Sequence, residues 1–202
     1  DLHAQMNDLL ASAPAKVVAN TVFFSEAQLD PGYAYISRLK EITQPLVLEG
    51  EVSPLRSPEM EKIAAILAEA ELKLNTDRTL AESYGKSANV LLPLLFQLGE
   101  MNGRPDQALP DFIARNRLPQ ALEGDALLPG AQAIQYPIEV LASQVQGLGH
   151  LNAIQDVDGA VRTEALVVQY FDQYYPSLSL MLAARSLNLG QYIRLGKGEE
   201  GT

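Results

Sequence analysis

The first apolar positions, Leu2, Met6, Leu9 and Leu10, share one helical face and stop at Ser12-Ala13-Pro14. Lys16 to Phe24 (KVVANTVFF) is too short and too β-branched for an ordinary helix and reads as a strand covered on both faces. Asp30-Pro31 then supplies a cap followed by proline at the first helical position, leading into Tyr33, Ile36 and Leu39. Leu46-Val47-Leu48 is a short strand or packed coil. Ser57-Pro58-Glu59 opens another helix by the same device, and Met60, Ile63, Leu67, Ala70 and Leu74 form one apolar stripe along it. That stripe predicts a core-facing helix, with a partner-binding or dimer helix as the other reading. Asn75-Thr76-Asp77 recaps a shorter helix carrying Leu80 and Tyr84. Asn89 to Leu98 (NVLLPLLFQL) is a second buried strand, in which Pro93 demands a bulge or an edge.

Gly99 to Gly130 has the weakest periodicity, with a turn at Met101 to Pro105 and one or two helical turns over Asp111 to Arg117. Ile138, Leu141, Ala142 and Val145 predict a helix before Gly147. Asp158-Gly159 lies between two apolar-rich stretches, a hairpin signal because glycine tolerates the positive φ of a tight turn. The returning strand, Ala160 to Phe171, is followed by a helix starting at Tyr175-Pro176-Ser177 and stopping at Asn188-Leu189-Gly190. This order of elements predicts an α/β fold: a mixed, mostly parallel sheet flanked by helices, with a late antiparallel hairpin.

The 202 residues suit a single domain, 1–202, and a hydrophobic share of 47% is enough for a sizeable core. Fifteen basic and 25 acidic side chains give a net charge of −10, which excludes sequence-independent binding to nucleic acid. With no Cys there is no disulfide, thiol nucleophile or zinc–thiolate site, a weak hint of life outside the cytoplasm. The longest apolar run, Val90 to Phe96, falls far short of the ~20 residues of a membrane helix, and the N-terminus lacks a signal-peptide pattern. The expectation is a cytosolic protein or a soluble piece of a longer chain.

No hydrolase elbow, phosphate loop or dinucleotide-binding glycine pattern is present, and no cofactor is expected. Asp156-Val157-Asp158-Gly159 resembles part of a calcium loop, but with Gly159 in sixth place Ile154 falls first and Ala165 twelfth, and neither can ligate. Three side chains are candidates for binding a small ligand. Glu26 directly follows the first strand, where α/β sheets present ligand-facing groups, or else it caps the next turn. His150, beside Asn152, is a ligand contact or a hydrogen-bonded structural histidine. Arg162, after the hairpin, is an anion-binding group or the partner of Asp158 or Glu164. They do not assemble into a base, nucleophile and oxyanion donor.

Gly149-His150-Leu151-Asn152, Asp156-Val157-Asp158-Gly159-Ala160-Val161-Arg162 and Tyr175-Pro176-Ser177-Leu178-Ser179-Leu180 together resemble the signature of the type-two CHASE domain, the cyclase/histidine-kinase-associated sensory extracellular domain. The runs Ala15 to Glu26 and Asn89 to Pro93 resemble two earlier strands of the same family, while Gly99 to Gly147 resembles it only loosely. Thr21 stands where the family usually has an acid; the family's D-E-x-S and W-P-W-x-R elements and the segments after Gly196 are absent, which suggests a fragment of the full domain or a divergent member. The resemblance implies an extracytoplasmic sensor that responds to a small-molecule or protein cue, with a homodimer as one arrangement. Its membrane spans would lie outside this chain, in a receptor with an adenylate or guanylate cyclase, protein kinase or histidine kinase as output. Rival expectations are a small hydrolase using a carboxylate pair such as Glu26 and Asp158, and an interaction module that binds through the Met60–Leu74 stripe.

Overall fold

The structure, a computed structural model, describes residues 2–28, 30–43, 58–101, 103–105, 108–119, 128–189 and 193. The central strand is β2 (Val90–Leu98), and its neighbours are recruited by alternate backbone positions. The carbonyls of Asn89 and Leu91 accept from Val18 and Asn20, so β1 (Val18–Ala19) pairs in parallel on one side. The carbonyls of Val90 and Leu94 accept from Gln146 and Leu151, which places β4 (Gly147–His150) in parallel on the other. From Leu95 onward β2 pairs antiparallel with β3 (Gly130–Gln135), with a bulge between Gln97 and Leu98.

Pro93 is neither at the bulge nor at the rim of the sheet. Odd-numbered positions of β2 turn their backbone towards β1, and β1 has ended at Ala19 before β3 begins opposite Leu95. The missing N–H therefore falls in a gap between two successive neighbours, a local edge inside a central strand.

The path continues from β3 to β7 (Val167–Tyr170) in parallel, and from β7 to β8 (Gln173–Pro176) antiparallel. A parallel bridge between Ser177, just past β8, and His150 brings the path back to β4. Three of the five strand pairings in this six-stranded sheet are parallel, so the sheet is mixed and mostly parallel. The Asp-Gly hairpin forms a separate two-stranded sheet from β5 (Ala153–Gln155) and β6 (Val161–Glu164).

Both faces of β2 are covered from Val90 to Leu94, which explains the apolar run there, whereas Leu95, Gln97 and Leu98 are exposed. Val90, Leu92, Leu94 and Phe96 point into the larger core, with Leu80, Ala81 and Tyr84 of α4 (Thr76–Ser87) and Leu141 and Ala142 of α6 (Glu139–Ala142). Leu91 points the other way, onto Leu178 and Met181 of α7 (Leu178–Ser186). Asn75 caps α4 by accepting from Arg78 N at 2.9 Å, as its position before the helix predicts. Asp30 likewise accepts from Gly32 N at 2.7 Å at the start of α2 (Pro31–Thr43).

Several expectations are corrected. The strand expected over Lys16 to Phe24 closes after Ala19, where Asn20 Oδ1 accepts from Val22 N and leaves Val22 and Phe23 exposed. Ala160 to Phe171 is two strands, not one, and Gln173–Pro176 is a strand before the helix. The helix itself starts after Ser177, whose Oγ accepts from Leu180 N. In α3 (Pro58–Leu74) Leu67 alone of the apolar stripe is buried, and the helix packs chiefly against α2 rather than on the sheet. In α1 (Leu2–Ser12) the apolar stripe faces outward: Leu2, Met6 and Leu9 are exposed, while Ala4 and Asn7 are buried. Asn7 Nδ2 donates to Ser83 Oγ (2.9 Å) and Ser87 Oγ (3.1 Å), and Ser83 Oγ donates to Asp8 Oδ1 (2.6 Å), so a hydrogen-bonded seam on α4 decides which side packs. The expected strand at Leu46-Val47-Leu48 lies outside the described residues. Among those residues, no helix is long and apolar enough to cross a membrane.

Candidate functional site

The signature residues are engaged in holding the fold. A Cβ on Gly149 would lie 2.7 Å from Leu178 Cα and 2.8 Å from Leu178 N, so only glycine lets the start of α7 rest on β4. Asn152 accepts from Phe96 N (3.0 Å) and donates to Phe96 O (2.6 Å), closing the backbone of β2 beyond the end of β4. Ser177 caps α7 and donates its own N–H to Leu166 O.

His150 is fully buried. Its ring stands edge-on to Phe96 at 6.1 Å, and Phe96 is flanked in turn by Tyr170 and Tyr175 at 5.9 and 5.4 Å. Nδ1 accepts from Asn152 N at 3.3 Å, which assigns the proton to Nε2, where it has no hydrogen-bond partner. Burial alone pushes the imidazole down to about 4, so the ring is neutral in the folded protein at ordinary pH.

Arg162 is held by two carboxylates across the hairpin, Asp156 at 2.7 Å and Asp158 through a forked pair at 2.9 and 2.8 Å. The guanidinium, together with the Ala160 N–H, holds the Asp158 carboxyl below its usual range. Gly159 takes the positive φ (79°) that the turn requires. Glu26 is exposed beyond the end of β1. The three sequence candidates thus stand in three settings: one in the core, one locked in an ion-paired turn, one at the surface. Neither of the two clefts described next contains any of them.

Two clefts flank α5 (Asp111–Ala114) and share Asp111 and Arg115. One, about 660 Å³, is lined by Phe112, Arg115, Tyr136 and Glu139, with the Phe112 and Tyr136 rings edge-to-face at 5.9 Å. The other, about 670 Å³, is lined by Asp111, Arg115, Arg117, Asp172, Gln173 and Tyr174. The segment between them is tied to three elements. Arg115 Nη2 donates to the carbonyls of Ala142 (3.0 Å) and Val145 (3.2 Å) at the end of α6. Asn116 Oδ1 accepts from Leu148 N of β4 (2.9 Å), and Leu118 N donates to Tyr174 O of β8 (2.8 Å).

Sequence reasoning did not single out Arg115, Arg117 or Asp172. A signal was present: Arg115-Asn116-Arg117 places two of only 15 basic residues within three positions of an acidic chain. Asp172 carried no such signal, because its turn has no glycine or asparagine.

No curated protein and no solved structure matches this chain. Among protein families, the CHASE2 domain matches residues 1–200, nearly the whole length, including the stretches whose glycine, histidine, asparagine and hairpin contacts are described above. The chain belongs to the CHASE2 family, the extracellular sensory domains of signalling proteins.

Proposed function

We propose that this domain is the extracytoplasmic input of a membrane-anchored bacterial receptor, relaying a cue to a cytoplasmic adenylate or guanylate cyclase. A protein kinase or histidine kinase output is the alternative. The reading is supported by family membership together with one structural observation: the motif side chains with reactive potential, His150 and the Asp156–Arg162–Asp158 cluster, are bound internally, while open clefts lie elsewhere. A sensor needs a site whose occupancy favours one arrangement of the chain over another, and it needs no turnover. Membrane contact is made by segments outside these 202 residues.

The absence of cysteine makes the location testable. Val157 projects fully into solvent at the tip of the β5–β6 hairpin. In intact cells making the full gene product, Val157→Cys is expected to react with a membrane-impermeant maleimide beyond the level of the unsubstituted protein. Reaction only after lysis overturns the extracytoplasmic reading. Cyclic nucleotide formation in membranes carrying the same protein supports a cyclase output, and phosphate transfer from ATP without it moves the assignment to a kinase.

A further inference from the structure

The cleft between α5 and the β7–β8 turn is lined by four charged side chains, two of each sign. Ion pairs among the described residues join Arg162 with Asp156 and Asp158, Arg78 with Glu82, Lys73 with Glu69, and Lys40 with Glu71. Here two guanidiniums, Arg115 and Arg117, and two carboxylates, Asp111 and Asp172, line one cavity of about 670 Å³, and no ion pair links any of them. Arg115 is anchored through Nη2 to backbone carbonyls.

The walls are preorganised. Leu118 and Tyr174 are joined by a backbone hydrogen bond across the cleft floor, and Asn116 fixes the same segment to β4. Asp172 follows Phe171, a bulky residue held at φ 52°. That left-handed conformation is unfavourable for such a side chain and persists because neighbours hold it. Met101 Sδ accepts from Phe171 N at 3.0 Å, and the Tyr170 ring packs edge-on against Phe171 at 4.9 Å. Gln173 and Tyr174 add an amide and a phenol beside the charges.

All four charged side chains are exposed and the cleft is open to solvent, with a volume of the order that a small molecule fills. Among the described residues this lining carries two charges of each sign, in a chain of net charge −10. A purely anionic ligand would meet the repulsive field of the whole molecule and leave both carboxylates unanswered, and a purely cationic one would leave both guanidiniums unanswered. A ligand carrying both charges answers both sets. We propose that this cleft binds a free amino acid, its carboxylate at Arg117 and Arg115 and its ammonium at Asp111 and Asp172. That such a ligand is the cue rests on the proposed sensory function; that it binds does not.

The test is titration of the chain with free L-amino acids singly at millimolar concentration, followed by amide NMR and calorimetry. Each amino acid is compared with its analogue lacking the amino group and its analogue lacking the carboxyl group. At least one amino acid is expected to bind saturably and shift the amides of Arg117, Leu118 and Tyr174. Both analogues are expected to bind at least about tenfold more weakly. Arg117→Gln and Asp172→Asn should each weaken binding about tenfold, and Arg162→Gln should not change it. Binding by none of the amino acids overturns the site, as does an analogue binding as tightly as its parent, a comparison made on the unsubstituted chain. Unchanged affinity in both cleft variants overturns it as well. An amino acid that binds here without altering the output of the full-length protein overturns only its role as cue. An output that answers a cue while no amino acid binds overturns this site and leaves the sensory function standing.

Discussion

At the residue scale, His150 couples folding to pH. The unfolded imidazole takes up a proton below about 6.5, whereas burial keeps the folded ring neutral down to about 4. In that window the unfolded chain gains the proton and the folded chain does not. The stability contributed by the neutral ring is therefore complete above the unfolded value and is lost as pH falls towards the folded one. For this one group the loss between pH 7 and pH 5 is about 2 kcal/mol. Urea unfolding at those two pH values is expected to show a smaller loss in His150→Leu than in the unsubstituted chain, and equal losses would refute the account. The sequence made His150 conspicuous as a candidate ligand contact but could not show that Phe96, Tyr170 and Tyr175 surround its place in the core. Arg162 was more legible: of its two expected partners Asp158 pairs with it, while Glu164 accepts from Ser179 Oγ instead and Asp156 completes the cluster.

Among the elements, β4 and α7 show how closely two backbones approach when glycine permits it. On Gly149 an added Cβ meets the backbone of Leu178, which cannot move without shifting the whole helix; on Gly147 it meets Met181 Cε at 2.7 Å, the far end of a flexible side chain. Gly149→Ala is therefore expected to cost about 3 kcal/mol or more and Gly147→Ala about 1 kcal/mol, measured by chemical denaturation. If the two substitutions cost the same, the close approach of α7 is not what Gly149 provides. Helices with a cap signal were the most legible elements, as Asp30 and Asn75 show, because capping is settled by contacts within a single turn. Strand β3 was not legible: Gly130–Gln135 is built from glycine, alanine, glutamine and a single isoleucine, and its pairing with β2 and β7 supplies what its own composition lacks. In α1 the apolar periodicity is real, but the hydrogen bonds of Asn7 and Asp8 with Ser83 on α4 decide which face packs.

For the whole molecule, the hydrogen-bonded circuit from β2 through β3, β7 and β8 back to β4 encloses the main core, while α2 and α3 pack on each other at its margin. Exposed Tyr35, Ile42, Ile63 and Ile66 show how little of that helical pair is anchored. Native-state hydrogen exchange should accordingly find the amides of Leu92 and Leu94 protected to the level of global unfolding, and those of α2 and α3 opening at lower free energy. Uniform protection across both regions would mean that the pair is an integral part of the core. The clefts beside α5 belong to this scale too, because Asp111 and Asp172 lie some 60 residues apart in sequence and are joined only by the folding of β8 against the α5 segment. The class of fold, the capped helices, the apolar β2 and the Asp-Gly turn are legible in the chain alone, since each depends on residues within about one turn or one strand of each other. Tertiary structure alone decided which helix faces are buried, that His150 is a core residue, and which charges share a cleft, because those depend on contacts between segments that no local pattern records.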